Sequence, residues 1–400
     1  MDRCIRLAWV VAALALAGPG FALDRFPLQV LGHPDPQAGD MFGDSLAVAG
    51  DHLLVGAPKR DDGPTQDVGA VFSFDLASFA FVRRIDPGAG WEDFGESIVS
   101  CGGGNFVATS YRSKRAAIFS ATTGLRLTDL LDPDTQSGGY GAAVASDGVI
   151  IAVSDLFEPT AGGTGAIHIY DALTGGFLRT VHHPNPLQFG LGNSLLIDGE
   201  TLFAGSIYST TETPPGAAGE AYAFSTIDGS LLGTYPDITN GQNLLGASLA
   251  ILGDRLVVGP GYDDGFPYGV MYIYERASPV PVMILRSPGL EDSGLNDNFG
   301  RELATGTDGS LFVGAPRGPH QDATRPGVVY TFEPETGEMI GRLLAADGSP
   351  GFLGAGSALE VSDGTIYVGA PGYSSAASPE GRVFIYYAVA SSARNWDAYP

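Results

Sequence analysis

The sequence predicts an all-β chain, a seven-bladed β-propeller of four-stranded antiparallel blades whose ring is closed by an N-terminal strand in the last blade. Three observations carry this prediction. First, a pattern that in Phe42 to Pro58 opens on an aromatic–glycine pair and ends on Gly-Ala-Pro recurs, with variation at both ends, to make seven copies with opening glycines 43, 95, 141, 192, 246, 300 and 356. A period near 50 residues over most of a chain is the mark of a propeller or solenoid array. Second, each copy holds four short apolar runs, most of them alternating in the period of two that gives a strand two different faces. Third, the seventh copy lacks its fourth run, and a run of the same character stands alone near the N-terminus.

Met1 to Ala22 reads as a secretory signal: Arg3 and Arg6, then an apolar run from Leu7 to Ala17, then the small-x-small site Gly20-Phe21-Ala22. The run is shorter than the ~20 residues that span a bilayer, and Gly, Pro or Asp interrupts every later one, so no membrane span is expected. Cys4 leaves with the signal and Cys101 remains alone, so no intramolecular disulfide is expected.

Residues 23–390 then form one propeller domain, with blades starting near residues 42, 94, 140, 191, 245, 299 and 355, followed by a tail at 391–400. In the first blade two apolar runs meet at the hairpin turn Gly50-Asp51, a variable loop follows, and Gly69 to Phe74 is the third strand. Short turns such as Thr123-Gly124, Thr174-Gly175 and Asp228-Gly229 lead into fourth strands. Phe26 to Asp35 resembles the fourth-strand segment Phe177 to Asn185, so residues 26–32 are expected to complete blade seven and remove two open sheet edges.

The stretch Phe42-Gly43…Gly56-Ala57-Pro58, with its echoes at Phe299-Gly300…Gly314-Ala315-Pro316 and Gly369-Ala370-Pro371, resembles the FG-GAP repeat that builds the N-terminal propeller of integrin alpha subunits. The resemblance implies a secreted bacterial-type repeat protein and covers about residues 26 to 387. It also implies a calcium loop between first and second strands, which this sequence lacks: each of those connections offers at most one carboxylate, and calcium takes six to eight oxygens. No cofactor and no metal are therefore expected. Calcium at Asp61-Asp62-Gly63 with Asp67, or at Asp263-Asp264-Gly265, stays open beside the plainer reading of solvated turn carboxylates.

The formal charge of −24 repels phosphate backbones and argues against nucleic acid as a partner. Every long, variable loop falls between second and third strands or between blades, which places them on one face of the disc, and binding residues concentrate on such loops. Candidate binding residues there are Tyr111, Arg112, Lys114 and Arg115, the one dense basic cluster after the signal, and Tyr262, Asp263 and Asp264. No catalytic residue is assigned: Gly-x-Ser-x-Gly and His-Glu-x-x-His are absent, and His182 and His183 are neighbours that a strand sends to opposite sides. The expected function is a secreted or periplasmic, non-catalytic interaction or adhesion module that binds protein or carbohydrate. The alternative is a propeller enzyme, a polysaccharide hydrolase or lyase. Carboxylates, an Arg and a His converging on the axis would favour the enzyme, and an axis of small and apolar residues the binder.

Overall fold

Blade one shows how the repeat becomes a sheet. Leu46–Ala49, His52–Ala57, Ala70–Asp75 and Phe81–Ile85 pair in that order as antiparallel neighbours. Ala49 faces His52, which leaves Gly50-Asp51 as a two-residue turn, with Gly50 at a φ of 57°. A tight hairpin of this kind requires that left-handed backbone. The second and third strands are buried on both faces, and the fourth is exposed along most of its length. The apolar runs are continuous in the middle of a blade because a neighbouring blade covers each side.

The structure is a computed structural model that describes residues 23–37, 39–63, 65–134, 138–157, 164–185, 189–208, 219–238, 244–261, 270–288, 297–317, 327–345, 354–372 and 381–387. No helix occurs among them, and the strands form seven sheets. The first strands, Leu46–Ala49, Ser97–Gly102, Tyr140–Ser146, Phe189–Asp198, Ser248–Leu252, Leu303–Thr305 and Ala358–Ser362, each touch the first strand of the next blade, and the last returns to the first. That is a closed ring. Its apolar residues divide into seven cores, each seated between two consecutive blades. Phe94 and Phe119 of blade two meet Val71 of blade one in one of them, and Tyr367 and Ile385 of blade seven meet Phe42 and Phe72 of blade one in another.

The ring closes as the sequence predicts. Gln29–Gly32 lies antiparallel to Arg382–Tyr387, with Gln29 facing Ile385 and Gly32 facing Arg382, and Leu31 is buried in the core between blades seven and one. One strand is additional to the expected set. Leu23–Arg25 runs parallel to Met339–Leu344 and gives blade six a fifth strand. Asp24 accepts two hydrogen bonds from the Arg342 guanidinium, at 2.7 and 2.8 Å.

The repeated glycines are the joints between blades. The opening glycines all have φ between 85° and 100°, a conformation that side chains oppose. The later glycine of the pattern lies against the next opening glycine: a Cβ at Gly56 would sit 2.3 Å from the Gly95 carbonyl oxygen, and one at Gly369 2.1 Å from that of Gly43. A serine often completes the joint. Ser45, Ser194 and Ser248 donate to the carbonyls of Gly95, Gly246 and Gly300 at 2.6, 2.7 and 2.6 Å.

Candidate binding face and axial channel

The two ends of the ring are built differently. One end carries the tight turns between first and second and between third and fourth strands, such as Gly50-Asp51 and the turn closed by Thr174 on Asp171. The other end carries the connections between second and third strands and those between blades. Of the expected binding residues, Tyr111, Arg112 and Lys114 lie in the short connection between Asn105–Ser110 and Arg115–Ser120, at this second end. Arg112 forms ion pairs with Glu92 at 2.6 Å and Asp67 at 3.5 Å. Arg115 lies over the Trp91 ring at 5.8 Å. Tyr111 is half-buried and its backbone N–H donates to Glu96, and Lys114 is exposed in left-handed backbone, at a φ of 55°. Tyr262, Asp263 and Asp264 lie outside the described residues. Of the carboxylates weighed for calcium, Asp61 accepts the Asp67 N–H at 2.9 Å, and Asp67 faces Lys59 and Arg112. Asp263 again falls outside the described residues.

Toward the axis this charged surface continues. Lys59 donates to Asp93 at 2.6 Å, and its charge reaches Asp44 and Glu96. Burial pushes the Asp44 carboxyl up to about 6, against the opposing pull of Arg301 and Lys59. Burial likewise pushes Glu302 and Glu360 up to about 7; Arg301 opposes the shift at Glu302, and the Val48 N–H, which donates to Glu360 at 3.2 Å, opposes it there. All three carboxylates keep some solvent contact while protein crowds them from every side. Deeper in the channel the inner strands of blades four to seven enclose a cavity of about 310 Å³. Aliphatic residues such as Leu196, Leu249, Ile251 and Val361 line it together with Asp198, Thr305 and Glu360, and the surface it exposes is more polar than apolar.

A family model described as the FG-GAP repeat matches residues 29–74. The match spans the strand donated to blade seven and the first three strands of blade one. Together with seven blades jointed through the same glycines, it supports an FG-GAP repeat β-propeller. None of the curated proteins matches it.

In this FG-GAP propeller the axial carboxylates are not evident from the sequence taken residue by residue, although the repeat register marks them. The residues that follow the seven opening glycines are Asp44, Glu96, Ala142, Asn193, Ala247, Arg301 and Ser357. Charge is thus confined to blades six, one and two. Four residues after each opening glycine stand Ala47, Val99, Ala145, Leu196, Ala250, Ala304 and Glu360. An acid in a column of aliphatic residues is the signal, and it appears only when the repeats are laid in register.

The turn end of the FG-GAP propeller also holds more than turns. A cleft of about 540 Å³ lies between blades one and seven, lined in part by Asp51, Asp75, Phe79, Asp363 and Tyr387, and one of about 500 Å³ lies between blades five and six, beside Asp254, Arg255 and Glu335. Cys101 is buried, and burial raises its thiol to about 11, far from a nucleophile's range. His183 is buried 3.1 Å from Ser206, and burial lowers it to about 4; its neighbour His182 is exposed on the other side of the strand.

Proposed function

We propose that this propeller is a secreted or periplasmic interaction module, of the adhesion type, that binds protein or carbohydrate through its loop-bearing end. The observation that carries the reading is the asymmetry of the ring. One end is closed by short hairpins, and the other is where the connections of variable length leave the blades, beside a charged cluster of Lys59, Asp67, Glu92, Asp93 and Arg112. A rigid scaffold with variable loops on one side is how recognition surfaces are built. The FG-GAP propeller fold is commonly an interaction module. Export rests on the N-terminal residues, and the expected cut after Ala22 leaves the strand Leu23–Arg25 whole.

A second reading keeps its own support. Asp44, Glu302 and Glu360 carry raised carboxyls near the axis, the first two within the field of Arg301, and perturbed carboxylates in a concave site are what hydrolases and lyases use. Against it stands the absence of any histidine from the lining of the inner cavity among the described residues. The deciding experiment presents the purified mature chain to glycan and protein arrays, with and without calcium. Saturable binding that is lost when residues 156–165 are replaced by a short Gly-Ser linker supports the module. Turnover of a polysaccharide that disappears in Glu302→Gln or Glu360→Gln overturns it in favour of the enzyme.

A further inference from the structure

Blade three carries an imidazole and a carboxylate where most of its sister blades are apolar or aromatic. His168 occupies the third-strand position that Phe72, Tyr222, Tyr272, Tyr330 and Phe384 hold in five other blades, and Asp155 the position of Ala57, Ala315 and Ala370. Asp155 pairs with Ala166, two residues before His168 on the adjoining strand. Residues two apart share a face, so Asp155, His168 and Tyr170 all point toward blade two. From blade two comes Asp132, just past the strand Arg126–Leu130. Tyr140 and Tyr170 fix it there by donating to the carbonyls of Leu130 and Leu131, both at 2.9 Å.

The three side chains converge without touching. Asp132 Oδ1 and Asp155 Oδ2 each lie 4.0 Å from His168 Nε2, too far for a hydrogen bond. Asp155 and His168 are 0 % and 1 % exposed, yet Asp155 Oδ2 and His168 Nε2 have no hydrogen-bond partner. A buried polar atom left in that state costs about 1–3 kcal/mol. Among the described residues no Lys or Arg pairs with Asp155. At two related junctions the acid has a direct partner. Between blades four and five, Tyr272 donates directly to Asp237 at 2.7 Å. Between blades seven and one, Asp40 meets His33 at 3.1 Å and the Arg60 guanidinium at 3.3 Å.

We propose that Asp132, Asp155 and His168 hold a divalent transition-metal ion of the zinc type, which clamps blade two to blade three. The donor set is one imidazole nitrogen and two carboxylates, which suits zinc and its first-row neighbours; calcium prefers six to eight oxygens. The donor atoms all lie within 4.8 Å of one another. They stand slightly wider than the edge of about 3.4 Å that bonds of about 2.1 Å give a zinc tetrahedron, a gap that small side-chain rotations close. The imidazole of His168 is already oriented to bind an ion. Its Nδ1 lies 2.9 Å from Thr180 Oγ1, and an Nδ1–H donated to that hydroxyl leaves the Nε2 lone pair aimed at the carboxylates. Asp155 Oδ1 is held by the Gly139 N–H at 3.0 Å, which leaves Oδ2 to the ion. Solvent fills the remaining position.

The test uses the full mature chain, dialysed against chelator and then titrated with Zn2+ or Co2+. The proposal expects one ion per chain by elemental analysis, a Tm that climbs with the logarithm of free zinc, and the visible absorption of tetrahedral cobalt. Asp155→Asn and His168→Gln should lose the cobalt spectrum and the zinc-dependent rise in Tm. Thr180→Val, which touches no ligand atom, should weaken zinc about 10-fold through the loosened imidazole. If the two ligand variants fail to fold, Thr180→Val decides alone, and an unchanged zinc affinity overturns the proposal. Wild-type protein that takes up neither ion, ligand variants that bind as well as wild type, or calcium raising the Tm as much as zinc would each overturn it too.

Discussion

At the scale of single residues, the acids near the axis are the positions where the FG-GAP propeller gives up stability. Glu302 and Glu360 have folded-state carboxyls at about 7 against an ordinary 4.5. Below pH 4.5 folded and unfolded chains both hold these protons, and the two residues have no effect. Between 4.5 and 7 the unfolded chain ionises freely while the folded one resists, so stability falls as pH rises; above about 8 the loss is complete. The ceiling is about 1.4 kcal/mol for each pKa unit, and screening by solvent in the channel lowers it. The double variant Glu302→Gln/Glu360→Gln is therefore expected to match wild type in urea denaturation at about pH 3.5 and to exceed it increasingly up to about pH 8. A difference that stays constant over that range contradicts the assignment. These residues were hidden in the sequence for a definable reason. In a chain with 45 acidic residues a lone Glu carries no information, and Glu360 becomes conspicuous only against the aliphatic residues at its repeat position. His168 was hidden in the same way, because Asp132 and Asp155 join it only through the stacking of two blades.

At the scale of the strand, the sequence was most legible where a local pattern and a long-range need coincide. The missing fourth run of blade seven and the surplus run Phe26 to Leu31 are two halves of one observation, and Gln29–Gly32 pairs as that arithmetic requires. Leu23–Arg25 was not legible, since three residues beside a cleavage site have no periodicity to read. Its partner is settled by Asp24 on Arg342, 318 positions away. The leading segment thus grips two blades in succession, by a short parallel pairing on blade six and by a strand with a buried side chain, Leu31, on blade seven. The two grips should differ in strength. Removing Leu23 to Leu28 deletes an exposed ion pair and a parallel edge, a loss expected to stay near ~1 kcal/mol. Removing Leu23 to Asp40 opens the edge of Arg382–Tyr387 and uncovers the core between blades seven and one, and is expected to give a loosely folded, aggregating product. Size-exclusion chromatography with thermal melts separates the cases, and a monomeric long deletion that melts with wild type contradicts the closure.

At the scale of the molecule, the ring converts seven weak sheets into one cooperative body, because no blade can bury its own two faces. Each junction is held by side-chain packing and by the glycine joints, and only the one between blades seven and one has covalent continuity arranged to resist its opening. The chain enters blade seven at Gln29–Gly32, passes through six blades, and returns to that same sheet at Arg382–Tyr387. Prising blades seven and one apart must therefore tear a strand out of a sheet as well as separate two faces. Compared with a linear chain that also lacks Leu23 to Arg25, a permuted chain isolates that contribution. Because Gln29 faces Ile385, a short linker from Tyr387 to Phe26 turns the donated strand into an ordinary hairpin partner, with new termini at Asp40 and Gly39. Every blade is then built from consecutive residues, and only packing holds blade seven to blade one. The permutant is expected to fold to the same ring, because the seven apolar cores are untouched, but to unfold at least about ten times faster in guanidinium, a difference of about 1.4 kcal/mol in the unfolding barrier. Folding rates should change less, because a closure made late contributes to the unfolding limb alone. Equal unfolding rates for the two chains would mean that the donated strand completes a sheet without locking the ring.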